Sequence, residues 1–560
     1  MHKVILVQPP IQDFYLTKKR TLPYGLASIA SSIRQKGFEV DILDALATDK
    51  SRIIAYPEEF ADLKSFYGHK DMSLFSLFHD FRHFGYSFEH IGAQIKKEEP
   101  FIVGISSLFT AYADTAIKTA QTIKTFYPRC YIVMGGHHPT VFPEQVLSHT
   151  AVDFVIRGEG EDSMAQLCCA LASGSDIQQI PGIAFRRKDS DPKCDTQNTH
   201  PQRADCHIAP PAWKDDLNTL PLPAIDLIHH EYYQRKKRYS AMVVSSRGCP
   251  MQCSYCCVSA TSSYARFRQR NVEHVIKEIR QILKSHETGF IDFEDENLCL
   301  NKSWFMELFT QIKDILSAQN LKESAELRAM NGLFPPAIDE DIVCLMKDSG
   351  FKTLNLSLGS TSKDQLARFK RPDVRKSFES ALSYAQKQGL ECVSYIIAAG
   401  PDQNAQSSLD DLLYLAQKRT LVGLSVFYPA PGSLDYEICK TRNLLPDTFS
   451  RMRSTALPLD HTTSRREAVT LLRLSRILNF MKHILDTFGK IPAPKAFSNH
   501  EKLLDLNRTD ISVKLLQWFL HDGKIRGVQP DGTVFDHYID KDLALNFAQK
   551  IQTLKIAGIK

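Results

Sequence analysis

The chain of 560 residues has no cysteine before Cys130 and no histidine between His2 and His69. No apolar run approaches the roughly 18 residues that a membrane span needs. The first residues, MHKVILVQPPIQD, hold an apolar stretch too short for a signal peptide and broken by Pro9-Pro10, so a cytoplasmic protein is expected. Charge of neither sign dominates. Lys and Arg number 69 against 64 Asp and Glu, a net +5, which excludes the clustered basic excess of a dedicated nucleic-acid binder. Hydrophobic residues at 43% and charged residues at 24% exclude disorder and collagen-like repeats. At about 150 residues per domain the length implies three or four units.

Residues 1–175 alternate strand and helix. The runs at 4–7, 40–43, 101–106, 131–136 and 153–156 are short and rich in β-branched residues, with helical patterns at 26–33 and 113–123 between them. That alternation predicts a doubly wound, Rossmann-like parallel sheet, which binds ligands outside the carboxyl ends of its strands. Between 56 and 88 lie ten aromatics, where such a fold needs only a short connection. They read either as a helical hairpin packing on itself or as a cover over a ligand pocket. Residues 176–238 read as a linker with a small hairpin, ending in the basic run Arg235-Lys236-Lys237-Arg238, a solvated surface. From 239 to 440 six strand–helix units predict a partial (βα)6 barrel, and 441–560 reads as mainly helical.

Thirteen cysteines would make a disulfide framework in a small secreted protein, but a chain of this kind points to metal binding or catalysis. Nine are scattered and read as small buried hydrophobes. The others cluster as Cys249-x3-Cys253-x2-Cys256, with Cys257 adjacent, on the loop leaving the first barrel strand. Three thiolates on one short loop fit a [4Fe-4S] cluster with one iron left open. A zinc knot needs a fourth ligand, and no second Cys-x2-Cys half is present. Cys257 is read as a packing residue.

This loop resembles the signature of the radical S-adenosylmethionine (SAM) superfamily, and the likeness runs over about 245–435. Phe293-Glu294-Asp295-Glu296-Asn297 is similar to the acidic segment whose backbone binds the methionine amino group. Glu326–Gly332 resembles the third-strand segment, and 396–401 and 428–433 the fifth and sixth. Leu356–Ser360 resembles the fourth, with Gly359 where many relatives carry Glu. The resemblance implies Cys249, Cys253 and Cys256 as cluster ligands, and Tyr255, Glu294, Asp295, Ser357 and Ser360 as SAM-site residues. It also implies an electron donor such as flavodoxin or ferredoxin, because the cluster must be reduced to cleave SAM to a 5′-deoxyadenosyl radical.

The first domain resembles the cobalamin-binding domain of cobalamin-dependent radical SAM enzymes. Ser106-Ser107-Leu108, Gly135-Gly136-His137 and Arg157-Gly158-Glu159 match family segments, which implies Ser106, Leu108, Gly135, Gly136, His137, Gly158 and Glu159 as cobalamin-site residues. The family's Asp-x-His-x-x-Gly loop, source of an axial histidine, is replaced by Gln8-Pro9-Pro10-Ile11-Gln12-Asp13-Phe14. The resemblance implies a C-methyltransferase acting on an unactivated carbon of a small-molecule or peptide substrate through methylcobalamin and the deoxyadenosyl radical. The alternatives are a radical rearrangement or cyclisation without methyl transfer, and a non-enzymatic cobalamin or redox sensor. A methylthiotransferase would need three further cysteines in the first domain. Neither a membrane nor a nucleic-acid partner is expected.

Overall fold

Residue alternation in the first strand sets the architecture of the N-terminal half. In β1 (Lys3–Gln8), Val4 and Leu6 enter one core while Ile5 and Val7 enter another, the period-2 pattern of a strand buried on both faces. Helices Tyr24–Arg34 and Glu161–Ser173 cover the first face, and Phe88–Glu98 and Ala113–Phe126 the second. The computed structural model describes residues 2–15, 21–187, 206–258, 267–285, 287–321, 324–498 and 503–559. After β2 (Ile11–Asp13) come β3 (Glu39–Asp44), β4 (Ser51–Ile54), β5 (Phe81–Phe84), β6 (Ile102–Ser106), β7 (Tyr131–Gly135), β8 (Phe154–Ile156), β9 (Ile183–Arg186) and β10 (Cys206–Ile208). The main sheet runs β10-β9-β8-β7-β6-β1-β3. Its order reverses between β1 and β6, the switch point where open sheets bind ligands.

Two expectations are corrected. The segment read as a linker with a small hairpin does hold a hairpin, β9 with β10, but it belongs to this sheet, β9 pairing antiparallel with β8, because Ile183 and Ala184 alternate into its two cores. Residues 188–205 of that segment lie outside the described residues. The aromatic stretch is not a hairpin packed on itself. Strands β4 and β5 pair with β2 in a separate antiparallel sheet. Phe14, Phe60, Tyr67 and Phe81 pack with Ala399, Val426, Ala456, Leu457, Ala468 and Val469 from later in the chain. The aromatics were drawn to an apolar surface more than 300 residues away, which local pattern does not encode.

The second half is the expected barrel. β11 (Gln234–Arg235) makes a hairpin with β12 (Arg238–Val243), and β13 (Ser246–Arg247) pairs with β14 (Arg268–Gln269). β15 (Thr288–Phe293) and β16 (Glu326–Ala329) lie parallel beside β12, while β17 (Thr353–Gly359), β18 (Glu391–Ala398) and β19 (Leu421–Val426) form a second parallel set. Parallel bridges Leu327–Phe351 and Leu333–Leu356 join the two. The C-terminal helices Arg465–Phe488, Arg508–Asp522 and Lys541–Thr553 share the barrel's own core through Leu474, Trp518 and Phe547. Among the described residues no helix is long and apolar enough to cross a membrane.

Arg453 ties these parts together. It is 7% exposed, pairs with the fully buried Asp13 at 3.0 Å, donates to the Gln12 carbonyl at 2.7 Å and lies over the rings of Phe60 and Tyr112. Asp71 of the aromatic segment meets His537 at 3.2 Å, and Arg508 donates to the Ser73 carbonyl at 2.9 Å. Breaking a buried pair from one side leaves an uncompensated charge. Arg453→Met is therefore expected to cost about 3–5 kcal/mol, read as a lower melting temperature and earlier proteolysis within 56–88. An unchanged melting temperature refutes the tie.

Candidate functional site

The cysteine loop leaves the carboxyl end of β12 and is held at both ends. At its start the hydroxyls of Ser245 and Ser246 donate to Asp295 at 2.7 and 2.5 Å. Burial raises the Asp295 carboxyl pKa above the usual range while these hydrogen bonds oppose the rise. Gly248 sits at φ +84°, a conformation that side chains other than glycine rarely adopt. At the far end the Ser254 amide donates to the Phe369 carbonyl at 3.0 Å, and the Ser254 carbonyl accepts from the Asp435 amide at 2.9 Å.

Cys253 is buried, while Cys249 and Cys256 are half-buried. Burial raises the Cys249 thiol, and the neighbouring Cys256 and Cys253 raise it further, so the three sense one another's charge. Among the described residues no three His, Cys, Asp or Glu side chains converge as ligands of a single metal ion. The corners of an iron–sulfur cubane stand further apart than the ligands of one ion, so this donor set fits a cluster rather than a zinc knot. Burial pushes Cys257 up to about 12, which suits a packing residue.

Facing the loop, Leu354, Leu356 and Leu358 of β17 point into the outer core, which turns Asn355 and Ser357 toward the barrel interior. Tyr255 packs edge-on against Phe369 at 5.0 Å, and its hydroxyl accepts from Arg371 at 2.6 Å. Arg371 also donates to the Ser357 carbonyl at 2.9 Å, and its Nε is buried with no partner. Gly359 stands at φ +81°, and a Cβ there would lie 3.2 Å from that Nε. The place of the family's glutamate is thus filled by a guanidinium, which sequence reasoning missed because Arg371 lies beyond the strand in a polar turn. Glu294 is half-buried, with its carboxyl raised by burial and by Asp292. Ser360 is corrected. It is fully buried and donates to Asp411 at 2.8 Å, so it fastens the strand end to helix Ala405–Ala416 instead of facing the interior.

In the N-terminal sheet, the switch point between β1 and β6 opens as a cleft lined by Gln8–Ile11, Thr21, Leu46, Ser106–Phe109, Tyr112 and Thr115. The Ser107 hydroxyl is buried there without a partner, and Leu108 is 50% exposed at the rim. An orphaned hydroxyl and an exposed apolar edge at a switch point fit a large, partly polar ligand such as cobalamin. Gly136, at φ +116°, would carry its Cβ 2.7 Å from the Ser107 carbonyl oxygen, so this glycine lets the two strand-end turns close on each other. Gly135 has only the Ile156 carbonyl within reach of a Cβ, at 3.7 Å. Among the described residues no histidine lines the cleft. His137 instead meets the Pro431 carbonyl of the barrel at 3.1 Å, and His138 is fully buried against Gln145.

Gly158 and Glu159 are also corrected. A Cβ at Gly158 would lie 2.1 Å from the Ala212 carbonyl oxygen, so the glycine admits a passing chain. Glu159 takes both arms of Arg268 at 2.9 Å and lies 3.3 Å from Arg247, while Glu161 pairs with Arg247 at 2.6 Å. Burial works against the Glu159 charge, but the two arginines hold its carboxyl below the ordinary value. Arg247 precedes Gly248-Cys249, so this turn of the first domain grips the root of the cysteine loop. Glu159→Gln is expected to leave cobalamin affinity within about twofold while reconstituted protein loses iron faster than wild type, since a charge-assisted fork is worth more than a neutral bond. Loss of cobalamin binding with stable iron would return Glu159 to the corrin site.

Residues 75–168 match the B12 binding domain family and residues 243–414 the Radical SAM superfamily. The chain is 25% identical to an uncharacterized methyltransferase of Pyrococcus horikoshii over 86% of this chain and 93% of that one. It is 24% identical to the hopanoid C-3 methylase of Methylococcus capsulatus over 77% and 71% respectively. The fold is shared with the radical S-adenosylmethionine methyltransferase TsrM of Kitasatospora setae, solved with cobalamin and a [4Fe-4S] cluster bound, at a TM-score of 0.57 and 16% identity over 79% of this chain and 78% of that one. Both family models match in this order on one chain, the domain order of a cobalamin-binding sheet ahead of a radical SAM barrel.

Proposed function

We propose that the protein methylates an unactivated carbon of a small-molecule or peptide substrate. The observation that carries this reading is the hydrogen bond from His137 to the Pro431 carbonyl at 3.1 Å. It joins the glycine turn beside the N-terminal cleft to the sixth-strand segment at the barrel mouth, so the two cofactor sites share one interface. Relatives named as methyltransferases along most of their length support the same reading.

When bound, the cofactors supply a deoxyadenosyl radical for hydrogen abstraction and a methyl group carried on cobalt. The chain does the holding. Cys249, Cys253 and Cys256 would ligate three irons. Arg371, whose Nε is buried without a partner among the described residues, has the charge to meet a carboxylate of SAM. Asp295 holds the loop root through Ser245 and Ser246. Leu108 and Phe109 offer apolar surface at the cleft rim.

Replacing Cys249, Cys253 or Cys256 by Ala is expected to remove the cluster and abolish SAM cleavage, whereas Cys257→Ala retains both. Iron and sulfide counts after anaerobic reconstitution decide, and a triad variant that keeps four irons and cleavage refutes the assignment. Methylated product with S-adenosylhomocysteine identifies methyl transfer, and 5′-deoxyadenosine alone identifies a rearrangement.

The wall of the cleft left by the first strand is Gln8-Pro9-Pro10-Ile11, with His137 and His138 engaged elsewhere. Bound cobalamin is therefore expected to lack a histidine on its lower face. Electron paramagnetic resonance of the cobalt(II) form is expected to show no superhyperfine splitting from a protein nitrogen. Such splitting overturns the expectation, and failure to bind cobalamin overturns the role of the cleft.

A further inference from the structure

Ser254, the residue after Cys253, is clasped from two sides. The turn after helix Lys363–Arg368 supplies the Phe369 carbonyl to its amide at 3.0 Å and the Arg368 carbonyl to its hydroxyl at 3.0 Å. Helix Leu434–Thr441 supplies the Asp435 amide to its carbonyl at 2.9 Å and the Asp435 carboxylate to its hydroxyl at 3.0 Å. Burial pushes the Asp435 carboxyl up to about 6 against the opposing charge of Lys370, so the turn and the helix lie side by side.

The outer face of this clasp is basic. Lys363, Arg368, Lys370, Lys440 and Arg442 are all exposed, against the exposed acids Asp364, Asp373 and Glu437, of which Asp373 senses the charge of Lys363. Arg442 pairs with Asp402 at 2.8 Å. Lys370 stands at φ +51°, left-handed for a residue with a side chain, which lifts it at the tip of the turn. From that tip, one peptide and the Phe369–Ser254 hydrogen bond lead to the residue beside Cys253. The root of the cysteine loop is covered by the first domain through Glu159 and Glu161, and this basic face is a short route from solvent to the loop.

Resting on the radical SAM reading, we infer that the face formed by Lys363, Lys370 and Lys440 is the docking surface for an acidic protein carrying a low-potential one-electron centre. The donor gives up one electron and is oxidised by one unit, the cluster gains that electron, and no bond forms or breaks. Opposite charge on the two surfaces steers the encounter, so its rate falls as salt rises.

The test uses the full chain with its cluster reconstituted and a reduced flavodoxin as donor, followed by stopped-flow absorbance. The triple variant Lys363→Glu, Lys370→Asp and Lys440→Glu is expected to accept electrons from flavodoxin at least tenfold more slowly than wild type at low salt, with the salt dependence abolished. Its iron content and its reduction by dithionite are expected to match wild type, which separates docking from damage. A second variant, Lys370→Asn, keeps the left-handed residue and is expected to slow flavodoxin alone by a smaller factor. Equal flavodoxin rates in wild type and triple variant, or a wild-type rate indifferent to salt, overturn the inference. Wild type that binds no cluster overturns the radical SAM reading instead.

Discussion

The ionic knot of Arg247 and Arg268 with Glu159 and Glu161 is the constraint on which the geometry of both halves depends. All four side chains are 22% exposed or less, and two come from each half of the chain. Such a knot is a poor way to gain stability, because desolvating four charges cancels most of their attraction. Its value is directional. A greasy contact tolerates sliding, whereas Arg268 gripping both oxygens of Glu159 fixes orientation as well as distance. Since Arg247 is two residues from Cys249, fixing this contact fixes where the cysteine loop stands relative to the first sheet.

Three further ties act in parallel with the knot. His137 reaches the barrel mouth from the glycine turn, and Arg453 reaches from the C-terminal region onto β2. The aromatic segment inserts its rings beside β19. Contacts at separated points leave little freedom for one body to rotate against the other. For two reactive centres that must address one carbon, that preorganisation is worth more than raw stability.

Most of the framework was legible in the sequence because it rests on local pattern. Short apolar runs rich in β-branched residues marked β1, β6 and β7, and the cysteine spacing marked the loop, since its three candidate ligands lie within eight residues. What was not legible depended on a partner far along the chain. Ser360 reads as a site residue until its hydroxyl is seen to donate to Asp411, and Glu159 until its carboxylate is seen to accept from Arg268. Arg371 carried no signal at all, because its importance arises from standing where Gly359 has no side chain.

The replacement at Gly359 changes what the barrel mouth recognises. A glutamate there accepts hydrogen bonds and repels the thiolates of a cluster. The guanidinium that fills its space donates them and is attracted to Cys253, whose thiol helps hold Arg371 in its charged form despite burial. Tyr255 shares in this, because its hydroxyl accepts from Arg371 while its ring packs on Phe369. Phe369 in turn accepts the Ser254 amide, so one short turn both charges the inner face of the loop and braces its outer face. The proposed roles in bracing the cluster loop, meeting the cofactor and receiving electrons therefore converge on residues 368–371, a stretch whose polar sequence alone reads as an ordinary surface turn.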